Sequence, residues 1–319
     1  MKVSLICTVI NEEKSIEDFL DSIKRQTREP DEIVIVDGGS TDRTLDILKG
    51  YKGLHIKLIS APGANISQGR NIAIAHAKHP VIASTDGGTR HDKNWLKYLL
   101  EPIERGEADV VAGLFFPDPK TPFEKVVGKM LYPNMNKVPD DWSPSARSMA
   151  YKKIVWKKVG GFPEELYTAE DAIFNHRAKE MAFRYKTARK SHAYWRPRSN
   201  IRKLFKQYYT YAKGNGESLL GLTHYPENRM TYLLNIYLIL LVYLLLTDKN
   251  ALMQILLYSI SLAYVLSLIK LKNLRESIIG AMIIVVLAIA NLLGFYNGIL
   301  RRALGFVRPN KIKYIRILK

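Results

Sequence analysis

The stretch Asp31–Thr44, DEIVIVDGGSTDRT, decides how this chain folds. Ile33–Val36 is a run of β-branched residues with no polar member, the pattern of a short strand buried on both faces. Asp37 falls where that strand ends, and Gly38 and Gly39 permit a tight turn with close backbone approach. Ser40, Thr41 and Asp42 are helix-capping types ahead of a helix opening at Thr44–Leu48. A carboxylate at the C-terminal end of a strand, beside a glycine turn, faces the crevice where open α/β sheets take ligands. The same turn also serves as a plain strand-to-helix connection, so its meaning depends on its surroundings.

Those surroundings repeat the pattern. Val3–Val9 reads as a buried strand and Ser15–Gln26 as an amphipathic helix with Ile16, Phe19, Leu20 and Ile23 on one face. His55–Ser60 is a third strand, Pro62–Asn65 a loop, and Ser67–Ala77 a helix opened by Gly69-Arg70-Asn71. Val81–Thr85 is a fourth strand, and it ends at Asp86-Gly87-Gly88, the second strand followed by an aspartate and two glycines. Alternating strands and helices predict an α/β fold with a mainly parallel, doubly wound sheet. Farther on, Asp109–Phe116 is a strand, and Ser145–Tyr151 returns to the sheet. Between them Thr121–Asp141, with Pro122, Pro133 and Pro139, reads as a loop-rich segment over a site. Ala172–Met181 continues as helix, Arg184–His192 is a last strand, and Ile201–Ala212 is a basic, tyrosine-rich helix.

After Arg229 the chain turns apolar. Tyr232–Leu246, Ala251–Ile269 and Ser277–Leu300 carry no charge, and the last two have the length of a bilayer span. The competing reading is a buried helical hairpin. An α/β domain over 1–229, with a basic amphipathic part near 200–229, therefore precedes apolar helices over 230–300 and a basic tail over 301–319. The chain has 319 residues and a formal charge of +18, which suits nucleic acid, anionic lipid or a phosphorylated substrate. Seven basic and no acidic residues lie in Arg301–Lys319, directly behind the apolar segments, which favours a membrane surface. No zinc-ligand spacing or nucleic-acid-binding motif accompanies the charge, so nucleic acid is not expected as a partner. A single cysteine, Cys7, rules out a disulfide framework and points to a reducing compartment. The first ten residues read as a strand rather than a signal peptide. With the α/β domain on the cytoplasmic side, a third full span would put the basic tail outside, against the positive-inside trend. Ser277–Leu300 is then re-entrant, partly interfacial, or an exception.

Four polar groups stand where chemistry could occur. Thr8–Glu12 leaves the first strand, Asp37 and Asp86 end two others, and Glu170-Asp171 precede an apolar helix. The bland reading of Glu170 and Asp171 is a favourable pair at a helix N-terminus, and that of Arg70 a surface cation.

Together, VSLICTVINEE, DEIVIVDGGSTDRT, SQGRNIAIAHA, VIASTDGG and VGGFPEELYTAEDAIF, with the apolar segments behind them, resemble the family 2 glycosyltransferases of the GT-A fold. The resemblance runs from Met1 to about Ala212. It implies that Thr8 and Glu12 line the nucleotide pocket, that Asp37 holds the base, and that Arg70 lies near the donor diphosphate. Asp86 matches the first acid of the family's Asp-x-Asp motif, a ligand of Mg²⁺ or Mn²⁺. Asp171, in the Glu-Asp position beside Glu170, would be the general base. The second acid of Asp-x-Asp is replaced by Gly88, which leaves Asp86 with water and phosphate oxygens, or recruits a ligand such as His192. The resemblance further implies an inverting transfer from a UDP- or GDP-linked hexose. The acceptor would be held in the membrane, a polyprenyl phosphate or a glycan on one. A polysaccharide or glycolipid synthase and a non-catalytic membrane protein are the alternatives. The Gln-x-x-Arg-Trp element of processive synthases is missing, since the comparable region reads Gln207-Tyr208-Tyr209-Thr210-Tyr211, and single-sugar transfer is preferred.

Overall fold

The computed structural model describes residues 1–218, 229–308 and 312–318, without the side chains of 229–232 and 235. It divides into two compact units. Met1–Asp118, Pro133–Arg196 and Arg308–Lys319 form the first, Pro119–Tyr132 and Pro197–Val307 the second.

The first unit is built on a mixed sheet with nine strands among the described residues. β1 (Val3–Val9) lies between β2 (Glu32–Asp37) and β4 (Val81–Asp86), with β3 (Ile56–Ser60) outside β2, all parallel. The register Val9↔Asp37 and Thr8↔Asp86 brings the C-terminal ends of three strands level. β5 (Thr89–His91), β6 (Val110–Pro117), β7 (Ser148–Lys152) and β8 (Tyr185–Trp195) extend the sheet in the order β5-β8-β6-β7-β4, and β7 is antiparallel to both its neighbours. The helices are α1 (Ile16–Lys24), α2 (Thr44–Gly50), α3 (Ile66–His76), α4 (Trp95–Glu104), α6 (Lys153–Val159) and α7 (Glu170–Glu180). Ile6, Val34, Val36, Ile72, Ala73, Tyr151, Phe162 and Phe174 join strands and helices in one buried cluster.

The capping types expected before α2 do not cap it: its N-cap is Arg43, with no side-chain cap hydrogen bond, and Asp42, one residue earlier, accepts from Thr44 N at 3.0 Å. Thr121–Asp141 departs from the loop reading. Pro122–Leu131 is a helix, α5, in the second unit. Thr121 caps it by accepting from Glu124 N, and Pro122 occupies a first-turn position where no donor is needed. Val126 and Val127 are its buried side.

In the second unit α5 joins α8 (Ile201–Ser218), α9 (Arg229–Thr247), α10 (Lys249–Leu271) and α11 (Leu274–Ala303). The basic stretch expected over 200–229 extends past α8 into 219–228, outside the described residues. α8 and α11 meet at backbone distance: a Cβ at Gly294 or Gly298 would overlap the carbonyl oxygens of Tyr209 and Lys213. Buried Glu217 on α8 accepts from Arg301 Nε at 2.7 Å. Among the described residues two helices, α10 and α11, are long and apolar enough to cross a membrane, while the apolar run in α9 is shorter, Ile236–Thr247. α11 is uninterrupted over 30 residues, about 45 Å of helix, and has no break for the re-entrant path. The basic tail does not stay free either. β9 (Arg316–Leu318) pairs antiparallel with β3, because that edge strand has an unfilled row of backbone donors and acceptors.

Candidate active site

The site grows from the start of α3. Asn65 and Gln68 form a reciprocal capping box that fixes the first turn of the helix. A Cβ on Gly69 would stand 2.8 Å from Thr8 Cγ2, so glycine is what lets the helix close on the ends of β1 and β2. Arg70 follows and is carried inward, 3% exposed. Its Nη1 donates to Glu170 Oε1 at 2.5 Å and its Nη2 to Asp86 Oδ1 at 3.0 Å. Asn71 accepts from Trp156 Nε1 and Phe162 N, both at 2.9 Å, which pins the Gly160–Pro163 turn against α3 and delivers α7 to the same place.

α7 opens at Ala169, whose φ of 67° is costly for a residue with a Cβ. Glu170 is buried, and burial together with neighbouring Asp171 raises its pKa to about 7 against the pull of Arg70. Asp171 is half-buried; its Oδ2 accepts from Ala146 N at 3.4 Å and its Oδ1 from Ala172 N at 2.8 Å.

Ala146 introduces a residue the sequence did not single out. Arg147 lies over the rings of Trp195 and Phe115, 4.2 and 5.1 Å from their centroids, with its Nε 3.6 Å from Asp86 Oδ2. That separation is too long for a hydrogen bond, and both Arg147 Nε and Arg70 Nε are buried without a partner. The only signal in the sequence was a cation entering a returning strand. Its ring partners come from β6 and β8, remote in the chain.

The other expected residues fall as follows. Thr8 is level with Asp86 in the strand register, beside Gly69. Asp37 is two strands from Asp86, roughly 10 Å by strand spacing. Its carboxylate is buried and closes its own turn, accepting from Gly39 N at 2.9 Å and Ser40 N at 3.1 Å. Glu12 accepts from Ser15 Oγ at 2.5 Å at the start of α1. Asn11, φ 55°, accepts from Thr41 N at 2.8 Å and so ties the end of β1 to the turn after β2. The structure thus gathers Arg70, Asp86, Glu170, Asp171 and Arg147, with Thr8 alongside, and leaves Asp37 and Glu12 in the neighbouring turns.

No three His, Cys, Asp or Glu side chains form a metal cluster among the described residues. His192, an alternative ligand in the sequence reading, lies instead with Nε2 2.9 Å from the Arg189 carbonyl and its ring edge-on to Phe116. Gly88 also has a physical cause: its Cβ would come 3.4 Å from Glu12 Oε2, so an acid there would start beside another carboxylate. Among the described residues Asp86 is a lone carboxylate here, so a divalent cation held by it would take its other ligands from water and substrate phosphates.

The model of the family described as glycosyl transferase family 2 matches residues 4–159. EpsJ, an uncharacterized glycosyltransferase of Bacillus subtilis (strain 168), is 31% identical over 116 residues, 36% of this chain and 34% of that one. The chain thus spans about a third of that relative. The O-antigen chain rhamnosyltransferase RfbN of Salmonella typhimurium is 26% identical over 241 residues, 64% of this chain and 71% of that one. Among solved structures, the mannosyltransferase PcManGT from Pyrobaculum calidifontis, in complex with GDP-Man and Mn²⁺, superposes with a TM-score of 0.63 at 18% identity, over 91% of this chain and 87% of that one. The strand order and the acid-bearing strand ends therefore have one common explanation: residues 4–159 form a domain of the glycosyl transferase family 2 type, on a sheet of the GT-A fold.

Proposed function

We propose that this glycosyltransferase moves a hexose from a UDP- or GDP-linked donor to an acceptor held in the membrane, a polyprenyl phosphate or a glycan carried on one. The transfer is a single displacement with inversion. The observation that carries the reading is the Arg70 network, in which one buried cation joins the carboxylate ending β4 to the Glu-Asp pair opening α7. PcManGT, solved with GDP-Man and Mn²⁺, supports a nucleotide-sugar donor and a divalent cation.

The acceptor oxygen forms a bond to the anomeric carbon as the bond from that carbon to the diphosphate oxygen breaks, and the electron pair leaves with the diphosphate. Asp171 receives the proton of an acceptor hydroxyl, or orients a phosphate nucleophile that has none to give. Glu170 holds Arg70 in place, and Arg70 with Arg147 faces the charge that develops on the leaving group. Thr8 and the Glu12 and Asp37 turns border the nucleotide. Mg²⁺ or Mn²⁺, when bound at Asp86 and the phosphates, supplies Lewis-acid neutralisation of the leaving diphosphate. The two long apolar helices support association with a membrane; a multi-pass path with the catalytic unit on the cytoplasmic side is our reading from the nucleotide-sugar donor.

Asp171→Asn tests the assignment. Transfer falls by roughly 10²–10⁴-fold, the usual contribution of a positioned base, while the nucleotide dissociation constant, measured by calorimetry, stays within about twofold. Wild-type turnover in this variant removes Asp171 from the base role.

A further inference from the structure

The nine-stranded sheet ends on residues that follow the last apolar helix in the chain, and they return to the strand ends where the donor is read to bind. β9 is antiparallel to β3, with Leu58↔Leu318, Ile59↔Ile317 and Ser60↔Arg316 in register. Since residue 316 is level with the C-terminal end of β3, the residues before it lie beyond that end, on the crevice side of the sheet. There Lys313 N donates to the Pro62 carbonyl at 2.9 Å, and Ile312 packs against the apolar cluster that Ala64 also borders. The Pro62–Ala64 loop is in turn pressed on the Asp37 turn. Gly63 N donates to Gly38 O at 2.9 Å, and Cβ atoms at Gly38 and Gly39 would stand 3.0 Å from Ala64 O and 3.2 Å from Pro62 Cα. Gly39 and Ser40 N–H groups then hold the Asp37 carboxylate. A continuous chain of backbone contacts joins Ile312–Lys313 to Asp37.

We propose that Ile312–Leu318 is a positioning segment of the donor site, which holds the Pro62–Ala64 loop against the Asp37 turn so that nucleotide affinity depends on it. The inference rests on the donor reading of that turn. It gives the residues behind the apolar helices a part in the soluble chemistry. The sheet edge is capped by only three paired residues, and β9 itself is largely exposed, so the segment is held weakly and can respond to the nucleotide.

The test titrates UDP and GDP, each with Mn²⁺, into the detergent-solubilised full-length protein. Ile312→Asp and a chain ending at Val307 are compared with wild type. Both variants weaken the nucleotide by about tenfold, near 1.4 kcal/mol, and change kcat by less than about twofold, a loss in binding rather than in chemistry. In unaltered protein the nucleotide slows hydrogen exchange at Gly39, Gly63 and Lys313 together. Wild-type affinity in either folded variant, or exchange at Lys313 indifferent to nucleotide, overturns the proposal even if the variants misfold. Failure of the unaltered protein to bind either nucleotide overturns the donor reading as well, and the two failures are told apart by that measurement.

Discussion

At the scale of single residues, Arg147 is the sharpest test of the site. Its guanidinium is stacked over Trp195 and Phe115 while its Nε remains buried and unbonded near Asp86, an arrangement that costs free energy unless an anion completes it. Arg147→Ala lowers kcat/KM by about 100-fold, comparable to the loss of one transition-state hydrogen-bond donor. Arg147→Lys does not restore it, because an ammonium neither stacks in the same way nor forks. Steady-state kinetics on both variants decides, and rescue by lysine limits Arg147 to a diffuse charge. Glu170 provides a pH signature. Its pKa lies near 7 in the fold against 4.5 as a free side chain, so the native state keeps a proton that the unfolded chain gives up between those values. Stability therefore declines as pH rises from 4.5 to about 7, and Glu170→Gln removes that part of the slope in a series of melting temperatures. The Glu-Asp pair was expected just before a helix, and both residues form the first turn of α7. Arg147 was not legible, since nothing in SPSARS announces aromatic partners from two distant strands.

Elements were readable where periodicity was clean and hidden where one residue spoke against it. β1 to β4 appear within a residue or two of their expected bounds because each is a short, mostly apolar run, and β2 and β4 are stopped by Asp-Gly-Gly. α4 was obscured by Pro102 inside it, although Leu96, Leu99, Leu100 and Ile103 bury one face. Pro122, read as a loop marker, is the first-turn proline of α5. β5 and β9 have three residues each, too few for any pattern. β6 illustrates how an element end is secured. Asp109, just before it, takes Lys152 Nζ at 2.7 Å from β7 and Arg184 Nε at 3.2 Å from the approach to β8. Hydrogen bonds from both cations, against the opposing effect of burial, bring its pKa down to about 2. A depressed carboxylate stabilises the fold fully above its unfolded value, 3.8, and loses that contribution as pH falls toward 2. Asp109→Asn accordingly costs roughly 2 kcal/mol at pH 7, and the gap in melting temperature to wild type is smaller at pH 3. An equal gap at both pH values would mean that the charge is not what holds these three strand ends.

At the scale of the whole molecule, the two units are not successive pieces of chain. A helix from the middle of the catalytic sequence, α5, belongs with the apolar helices, and residues 308–319 belong with the sheet. Reading in sequence order cannot see such exchanges, because each depends on a partner surface supplied elsewhere: Ile283 and Leu271 for α5, the edge of β3 for β9. What composition did convey is the character of the second unit. Ile239, Leu246, Ile269 and Ile278 are each more than half exposed, and only 11% of the apolar window of α10 is buried. At about 25 cal/mol for each Å² of apolar surface, leaving such faces in water is unfavourable by many kcal/mol, and lipid removes the penalty. The net charge of +18 offers a second route to a membrane, electrostatic attraction to anionic headgroups. The two routes respond differently to solvent. Charge attraction is screened within about 3 Å at 1 M salt, whereas burial in hydrocarbon is not. Membranes from cells expressing the full chain should keep the protein through washes in 1 M NaCl and alkaline carbonate, and release it only with detergent. Release by salt alone would mean that the basic surface, not α10 and α11, holds the protein to the bilayer, and that those helices are covered by protein instead.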